Sequence, residues 1–370
     1  MGAFGPLEMK VVPSCAETMG TNPITLVKLK AVLLSIVCLA DVAFAQPQWL
    51  NDQRTHQGAH LQHGQLQRLC AATNLTSIFT DFGEILKPRV PGSPGHKQVA
   101  SYIKRSLDAL GWTTEWDTFT DHTPLGNKKF RNLIATYNPS ATRRLVLACH
   151  YDSKLFHEFV FLGATDSAMP CALLLDVART LGTALEHQSK QKDLTLQLLF
   201  LDGEEAFKDW TPTDSLYGAR NLAEKWHKTW YPSVDQFGSF HLYKELDRID
   251  IFVLLDLLGA ANPTIRNYQR LGAENWYSTL PTIESNLKRL NCLANIPTIF
   301  HAQHSYAGVE DDHVPFMRKG VRVVHLIPTP FPPQWHQKSD NYDAMDHHTV
   351  HNLASVVRVF VAQYLHATQV

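Results

Sequence analysis

The 370 residues contain no C-x-x-C pair, no long Lys/Arg run and no uncharged apolar stretch of the roughly 20 residues that a membrane helix needs. The first absence removes a structural zinc knuckle or a thioredoxin-type site. The second, with Lys+Arg 34 against Asp+Glu 35 and a net charge of -1, removes the electrostatic footprint of a nucleic-acid binder. Also missing are G-x-S-x-G, the Walker A loop, G-x-G-x-x-G and H-E-x-x-H, so serine-elbow, nucleotide and zincin chemistries have no support. What remains is an ordinary globular composition, 44% hydrophobic, 10% aromatic and 19% charged, which is far from the signature of disorder. Histidine occurs 19 times, often enough to prompt a search for metal ligands.

The N-terminus reads as an address. Lys28 and Lys30 precede an uncharged apolar run from Ala31 to Ala40, and Ala43-Phe44-Ala45 offers small residues at the cleavage-type positions. Residues 1–45 are therefore expected to be a leader with a secretory signal peptide, with Met9 or Met19 as alternative starts. An uncleaved anchor, holding the protein in the Golgi, is the competing expectation, and Asp41 counts against it. The oxidising compartment that secretion implies favours disulfides. Beyond the leader lie Cys70, Cys149, Cys171 and Cys292, of which Cys149 and Cys171 form the preferred pair because both flank the chemical motifs below; the alternative is four buried thiols. Asn74-Leu75-Thr76 is a glycosylation sequon.

Residues 46–65 are rich in Gln and His and are expected to be a loose polar lead-in to one catalytic domain covering 46–370. Pro88 to Gly95 punctuates the entrance to a helix in which Val99, Tyr102, Ile103, Leu107 and Leu110 recur near 3.6 spacing, with Gly111 as its cap. Short apolar runs at 133–137, 145–149, 194–201, 251–258 and 321–327 read as buried strands. Helical patterns at 171–185 and 350–365 fall among and after them. Continuous apolar strands alternating with helices imply an α/β fold, a central, mostly parallel sheet covered on both faces.

In such sheets ligands gather at the carboxyl ends of the strands. Here those ends carry His150-Tyr151-Asp152, Asp202-Gly203-Glu204-Glu205, Asp256 and, past a Pro-rich turn, Trp335-His336. Asp166 opens a further helix. Each alone is bland, since a strand-terminal Asp is commonly a helix cap. Five segments delivering carboxylate or imidazole to one edge suit a zinc site with three protein ligands and an open position. His347, His348 and His351, at the start of a helix, read as solvated surface rather than a second metal site.

The stretches 145–154 (Leu-Val-Leu-Ala-Cys-His-Tyr-Asp-Ser-Lys), 163–171, 202–210, 214–218, 254–263, 311–316 and 325–336, in this order, resemble the glutaminyl-peptide cyclotransferases, relatives of the zinc-dependent aminopeptidases. The resemblance implies a zinc-exopeptidase-like fold and cyclisation of N-terminal Gln, and of Glu, to pyroglutamate. By it, Asp166, Glu205 and His336 are ligands of one Zn2+ per subunit. Glu204 is the acid/base, Asp256 and Asp311 are its hydrogen-bonding partners, Trp210, Phe331 and Trp335 wall the substrate pocket, and Cys149 and Cys171 form the disulfide. Two departures stand out. Glu310 replaces an expected Gln and is expected to point to solvent, the alternative being an effect on the peptide's second residue. The segment between Lys154 and Gly163 is short, which leaves its contribution open.

Adjacent Glu204 and Glu205 divide the labour, one ligating and one moving a proton. Asp256 and Asp311 are expected to hold one proton between them. The rival enzyme is a secreted di-zinc aminopeptidase, for which His150, Asp166, Glu205, Asp256 and His336 supply a full ligand set. A catalytically dead binding protein on the same scaffold would have lost a ligand or the acid/base Glu, and neither is lost. Expected partners are peptides and small proteins with N-terminal Gln or Glu. Neither nucleic acid nor, beyond the leader, a membrane is expected as a partner, and the chain is expected to be a monomer.

Overall fold

The computed structural model describes residues 46–369 apart from 191, 192 and 236. The expected leader, with its signal peptide or anchor, lies outside the described residues. Helices α1 (Gln48–Arg54), α2 (His63–Ala71) and α3 (Leu75–Ile85) lead to α4 (Pro94–Ala109). The hairpin β1 (Thr113–Thr123) and β2 (Gly126–Thr136) follows, then β3 (Arg143–His150), α5 (Met169–Thr180), α6 (Gly182–Ser189) and β4 (Leu194–Leu201). Next come α7 (Tyr217–Lys228), a small hairpin β5 (Trp230–Val234) and β6 (Phe240–Lys244), and β7 (Ile249–Leu255). The remainder holds β8 (Ile265–Tyr268), α8 (Glu274–Tyr277), α9 (Thr279–Arg289), β9 (Phe300–Ser305), α10 (His313–Met317), β10 (Val323–Leu326) and α11 (His347–Tyr364).

Six strands form one sheet in the order β1-β2-β4-β3-β7-β10. The β4–β3, β3–β7 and β7–β10 pairings are parallel, while β1–β2 and β2–β4 are antiparallel. Every residue of β3, β4 and β7 is buried. Alternation along the strand sends Leu145 and Leu147 into the helical layer of α4, α5 and α11, and Val146 and Ala148 into that of α7. Burial on both faces is why these strands read as unbroken apolar runs. Ser93 caps α4 by accepting from the amide of His96 at 3.2 Å, Pro94 occupies its first turn, and Gly111 follows its end at φ +79°.

The small two-stranded sheets β5–β6 and β8–β9 are not among the sequence expectations, and the structure departs from those expectations in four further places. Strand β1, with most of β2, is absent from them because β1 is an edge strand whose only apolar residues are Trp116 and Phe119. The apolar run at 251–258 continues past β7, whose last residue is Leu255. The single helix expected at 171–185 is two, α5 and α6, meeting at a 60° bend after Thr180. The loose lead-in at 46–65 carries α1 and packs onto the domain. Trp49 donates from Nε1 to Ser233 Oγ at 2.9 Å and meets Tyr231 and Tyr243 edge-on, and Leu61 is buried. Trp49, Leu50 and Leu61, all buried, outweigh the polar composition around them.

Candidate active site and metal centre

The carboxyl ends of β3, β4 and β7 open on one edge, and the loop after β10 folds back over it. Asp166 lies in the segment between β3 and α5, shaped by two devices. Gly163 adopts φ +56°, and a Cβ there would stand 2.0 Å from the carbonyl oxygen of Asp166, so only glycine fits. Arg89, fully buried, donates to the carbonyls of Tyr151 (2.9 Å), Gly163 (2.9 Å) and Asp166 (3.1 Å), and also to Leu162. From the other side Asp340 accepts from the amide of Thr165 at 2.8 Å and its hydroxyl at 3.0 Å.

Glu204 and Glu205 follow β4. Their backbone amides donate to the two oxygens of Asp152, at 3.1 and 3.3 Å, which fixes the turn that presents both side chains. Glu205 Oε1 then stands 3.2 Å from His336 Nε2, and its other oxygen accepts from Lys154 Nζ at 3.1 Å. Asp166 Oδ2 is 3.3 Å from the same imidazole nitrogen. His336 holds φ +56°, a conformation uncommon for a non-glycine residue, and Trp335 stacks on its ring with 4.1 Å between centroids. Phe156 and Phe161 meet that ring edge-on, so the short segment after Lys154 contributes an aromatic collar.

The ligand atoms of Asp166, Glu205 and His336 lie within 4.8 Å of one another. Asp166 Oδ2 is buried and makes no hydrogen bond, a cost that a cation there would remove. Two hard oxygens and one imidazole are a donor set that zinc accepts. A second set, His150, Asp166 and Asp256, shares Asp166, and a third joins Asp311, His313 and His325.

Around this centre the charges are crowded. Burial, then the neighbouring Glu205 and Asp311 charges, push the Glu204 carboxyl well above the carboxylate range, against the pull of His150. Burial and then Asp311 raise Asp256 to about 7. Burial lowers His336, but Asp166 and Glu205 more than offset it, to about 9. Asp256 accepts from Ser167 Oγ at 3.0 Å, and Asp311 from the amide of Asp312 at 2.6 Å, with His325 Nε2 2.7 Å away. Asp311 thus acts on Glu204 and on Asp256 through charge, and both aspartates take these hydrogen bonds elsewhere.

A cavity of about 510 Å³ lies over the centre, lined by Trp210, Phe331, Trp335, Ile327 and Leu257 as well as by the acids. All three expected wall residues therefore line it. Glu310 is exposed, in line with the expectation that it points to solvent, and on the rim its carboxylate also accepts from Trp210 Nε1 at 3.2 Å. Indole N–H groups donate only, so an acidic neighbour anchors this ring. The Cys149 and Cys171 sulfurs are 3.1 Å apart, both buried, and both are free thiols in this structure, where a disulfide was expected. Asn74 is exposed and caps α3, accepting from the amide of Ser77 at 3.1 Å. His347 starts α11 and stacks on Phe79, with 4.1 Å between centroids. Sequence reasoning missed Arg89, Asp340 and Phe156, none of which carries a local pattern.

A mixed sheet with acids and imidazoles converging at its carboxyl edge is the architecture of the zinc-dependent exopeptidases, and residues 132–361 match Peptidase family M28. A glutaminyl-peptide cyclotransferase of Gloydius blomhoffii is 43% identical over 332 residues, 86% of this chain and 89% of that one. The Bos taurus glutaminyl-peptide cyclotransferase is 40% identical over 365 residues, 95% and 99% of the two chains. The crystal structure of Macrostomum lignano glutaminyl cyclase superposes with a TM-score of 0.74 at 35% identity, covering 82% of this chain and 92% of that one. The chain belongs to the glutaminyl-peptide cyclotransferases, and it is an enzyme.

Proposed function

We propose that this enzyme converts N-terminal glutamine, and glutamate, of peptides to pyroglutamate, releasing ammonia or water, with one zinc ion. The observation that supports this most is the pairing of Glu204, its proton affinity raised by burial, with a metal-ligating neighbour beneath an aromatic-walled cavity. In the reaction the peptide's α-amine attacks its own side-chain amide carbon. A ring C–N bond forms, the amide C–N bond breaks, and one proton passes from the amine to the departing nitrogen. Nucleophile and electrophile share a residue, so no covalent enzyme intermediate is needed and orientation supplies much of the rate.

Glu204 takes the proton and returns it; a raised proton affinity suits a group that must do both near neutral pH. Asp166, Glu205 and His336 would hold the zinc, whose contribution when bound is Lewis-acid polarisation of the amide carbonyl. Asp256 and Asp311 keep the surroundings negative where ammonia leaves. Trp210, Phe331 and Trp335 exclude water and hold the folded-back side chain.

A second reading has its own observation: His150 Nε2 lies 3.1 Å from Asp166 Oδ1 and 3.4 Å from Asp256 Oδ1, a set for a second metal of an aminopeptidase. Mass spectrometry of an N-terminal Gln peptide, with a Glu204→Gln control, separates the two. Loss of ammonia with every residue retained supports cyclisation; loss of the first residue, with two metals bound, supports the peptidase.

The same proposal covers processing and setting. The enzyme is secreted after cleavage near Ala45, is glycosylated at Asn74, has its adjacent Cys149 and Cys171 thiols oxidised to a disulfide in the secretory pathway, and acts as a monomer on peptides and small proteins. Intact mass before and after glycosidase and reductant, with N-terminal sequencing, tests these; a retained leader would favour the Golgi-anchored form.

A further inference from the structure

Between α4 and the β1–β2 hairpin runs a groove of about 620 Å³. Lys97 from α4 and Lys128, Lys129 and Arg131 from β2 line it, with the hydroxyls of Ser101 and Thr118. No carboxylate lines it, and among the described residues none of these four cations makes an ion pair. The near-zero charge of the whole chain conceals this concentration.

Of the hairpin's cations, Lys129 and Arg131 stand on the face of Trp116 and Thr118, whereas Lys128 is opposite Asp121 and turns to the other face, so Lys97, Lys129 and Arg131 supply the groove's charge. Asp117 and Asp121 of β1 turn to the other side, where they meet Lys225 and Arg220 of α7. Their neighbours Trp116 and Thr118 turn into the groove, opposite Leu133 and Arg131. The groove also runs past the N-terminus of the 16-residue α4, whose partial positive charge adds to it. Every polar side chain here but His96 either donates only or is a hydroxyl, so a ligand must bring acceptors.

We propose that this groove binds a sulfated polysaccharide. Three cations from two elements, Lys97, Lys129 and Arg131, exceed what a single oxyanion needs, which calls for a chain of closely spaced anionic groups. Arg131 already covers the Trp116 ring at 4.8 Å, leaving no free aromatic platform on which a nucleobase would stack. An acidic peptide would also need a place for apolar side chains, and the groove offers little besides that covered ring. Sulfate esters remain ionised at any working pH and match Lys and Arg donors by charge-assisted hydrogen bonds.

The test is calorimetric titration of the whole protein with a heparin octasaccharide, beside a polyglutamate peptide of equal charge, at low and at physiological salt. The expected result is heparin binding that weakens with salt and weakens by about tenfold or more in a Lys97→Ala/Lys129→Ala variant. Both lysines are exposed, so the variant's melting temperature should match the parent's. A Lys129→Glu reversal should weaken binding further. Undiminished heparin binding by these variants, absence of binding at physiological salt, or tighter binding of polyglutamate would each overturn the proposal.

Discussion

Arg89 donates from its guanidinium to the carbonyl oxygen of Asp166 at 3.1 Å, across 77 residues of chain. It is a buried cation held by backbone carbonyls, and it stitches the entrance to α4 onto the loop that carries Asp166, a member of the candidate metal-binding set. Replacing it by Ala would leave the carbonyls of Tyr151, Gly163 and Asp166 without this donor. Denaturant unfolding should show a loss of about 3 kcal/mol or more, with weaker metal retention at temperatures where the variant is still folded.

Glu204→Gln keeps the size of the side chain and removes its basicity. With peptide substrate, kcat should fall by about 10²-fold or more while KM changes little, since the group is asked to move a proton rather than to bind. The working form is the ionised one, and its proton affinity is raised. The acid limb of the parent's pH–rate profile should therefore lie above the ordinary carboxylate range. Asp311→Asn removes one of the charges that raise it, so that limb should move to lower pH.

Asp256 gives a pH test of stability in the metal-free protein. Its folded pKa, about 7, is above the value of roughly 3.9 for an unfolded Asp. The fold therefore favours the protonated carboxyl. This contribution is complete below pH ~4 and is lost as pH rises through ~7. Asn imitates the protonated form. In chelator, Asp256→Asn should melt with the parent in acid and above it in base, by a margin equivalent to roughly 1–3 kcal/mol.

Asp152 touches no substrate, yet it accepts from the amides of both Glu204 and Glu205. Asn in its place retains one acceptor oxygen and brings an NH2 group toward the second amide. Metal affinity, measured by competition with a chromogenic chelator, should fall by about 10–100-fold.

Glu310 should matter for peptide choice. Its carboxylate sits on the rim of the cavity and holds the Trp210 indole. Glu310→Gln should raise KM several-fold for a peptide whose second residue is Lys, and leave a neutral second residue nearly unaffected, because the lost interaction is a partly screened surface charge.

The strands that carry the site were legible because they are buried on both faces, so β3, β4 and β7 appear as apolar runs whose ends announce the acids. The position of Glu204, Glu205 and Asp256 at those ends could be read for the same reason. Strand β1 hid because only Trp116 and Phe119 in it are apolar, and α1 hid because Trp49 and Leu50 are a single apolar pair in a polar stretch. Arg89 stands alone between prolines and carries no period. The partnership of Glu310 with Trp210 and the gathering of Lys97 with Arg131 arise only when distant segments meet, and no local pattern encodes them.

Asp166 precedes β4 in the chain, whereas Glu205 and His336 follow it. No contiguous half of the molecule therefore holds a full set of donors. If the chain were cut between α6 and β4, metal uptake would require the two pieces to remain docked through the β3–β4 ladder. Bound metal would then serve as a gauge of whether the severed halves are still one body, independent of any substrate.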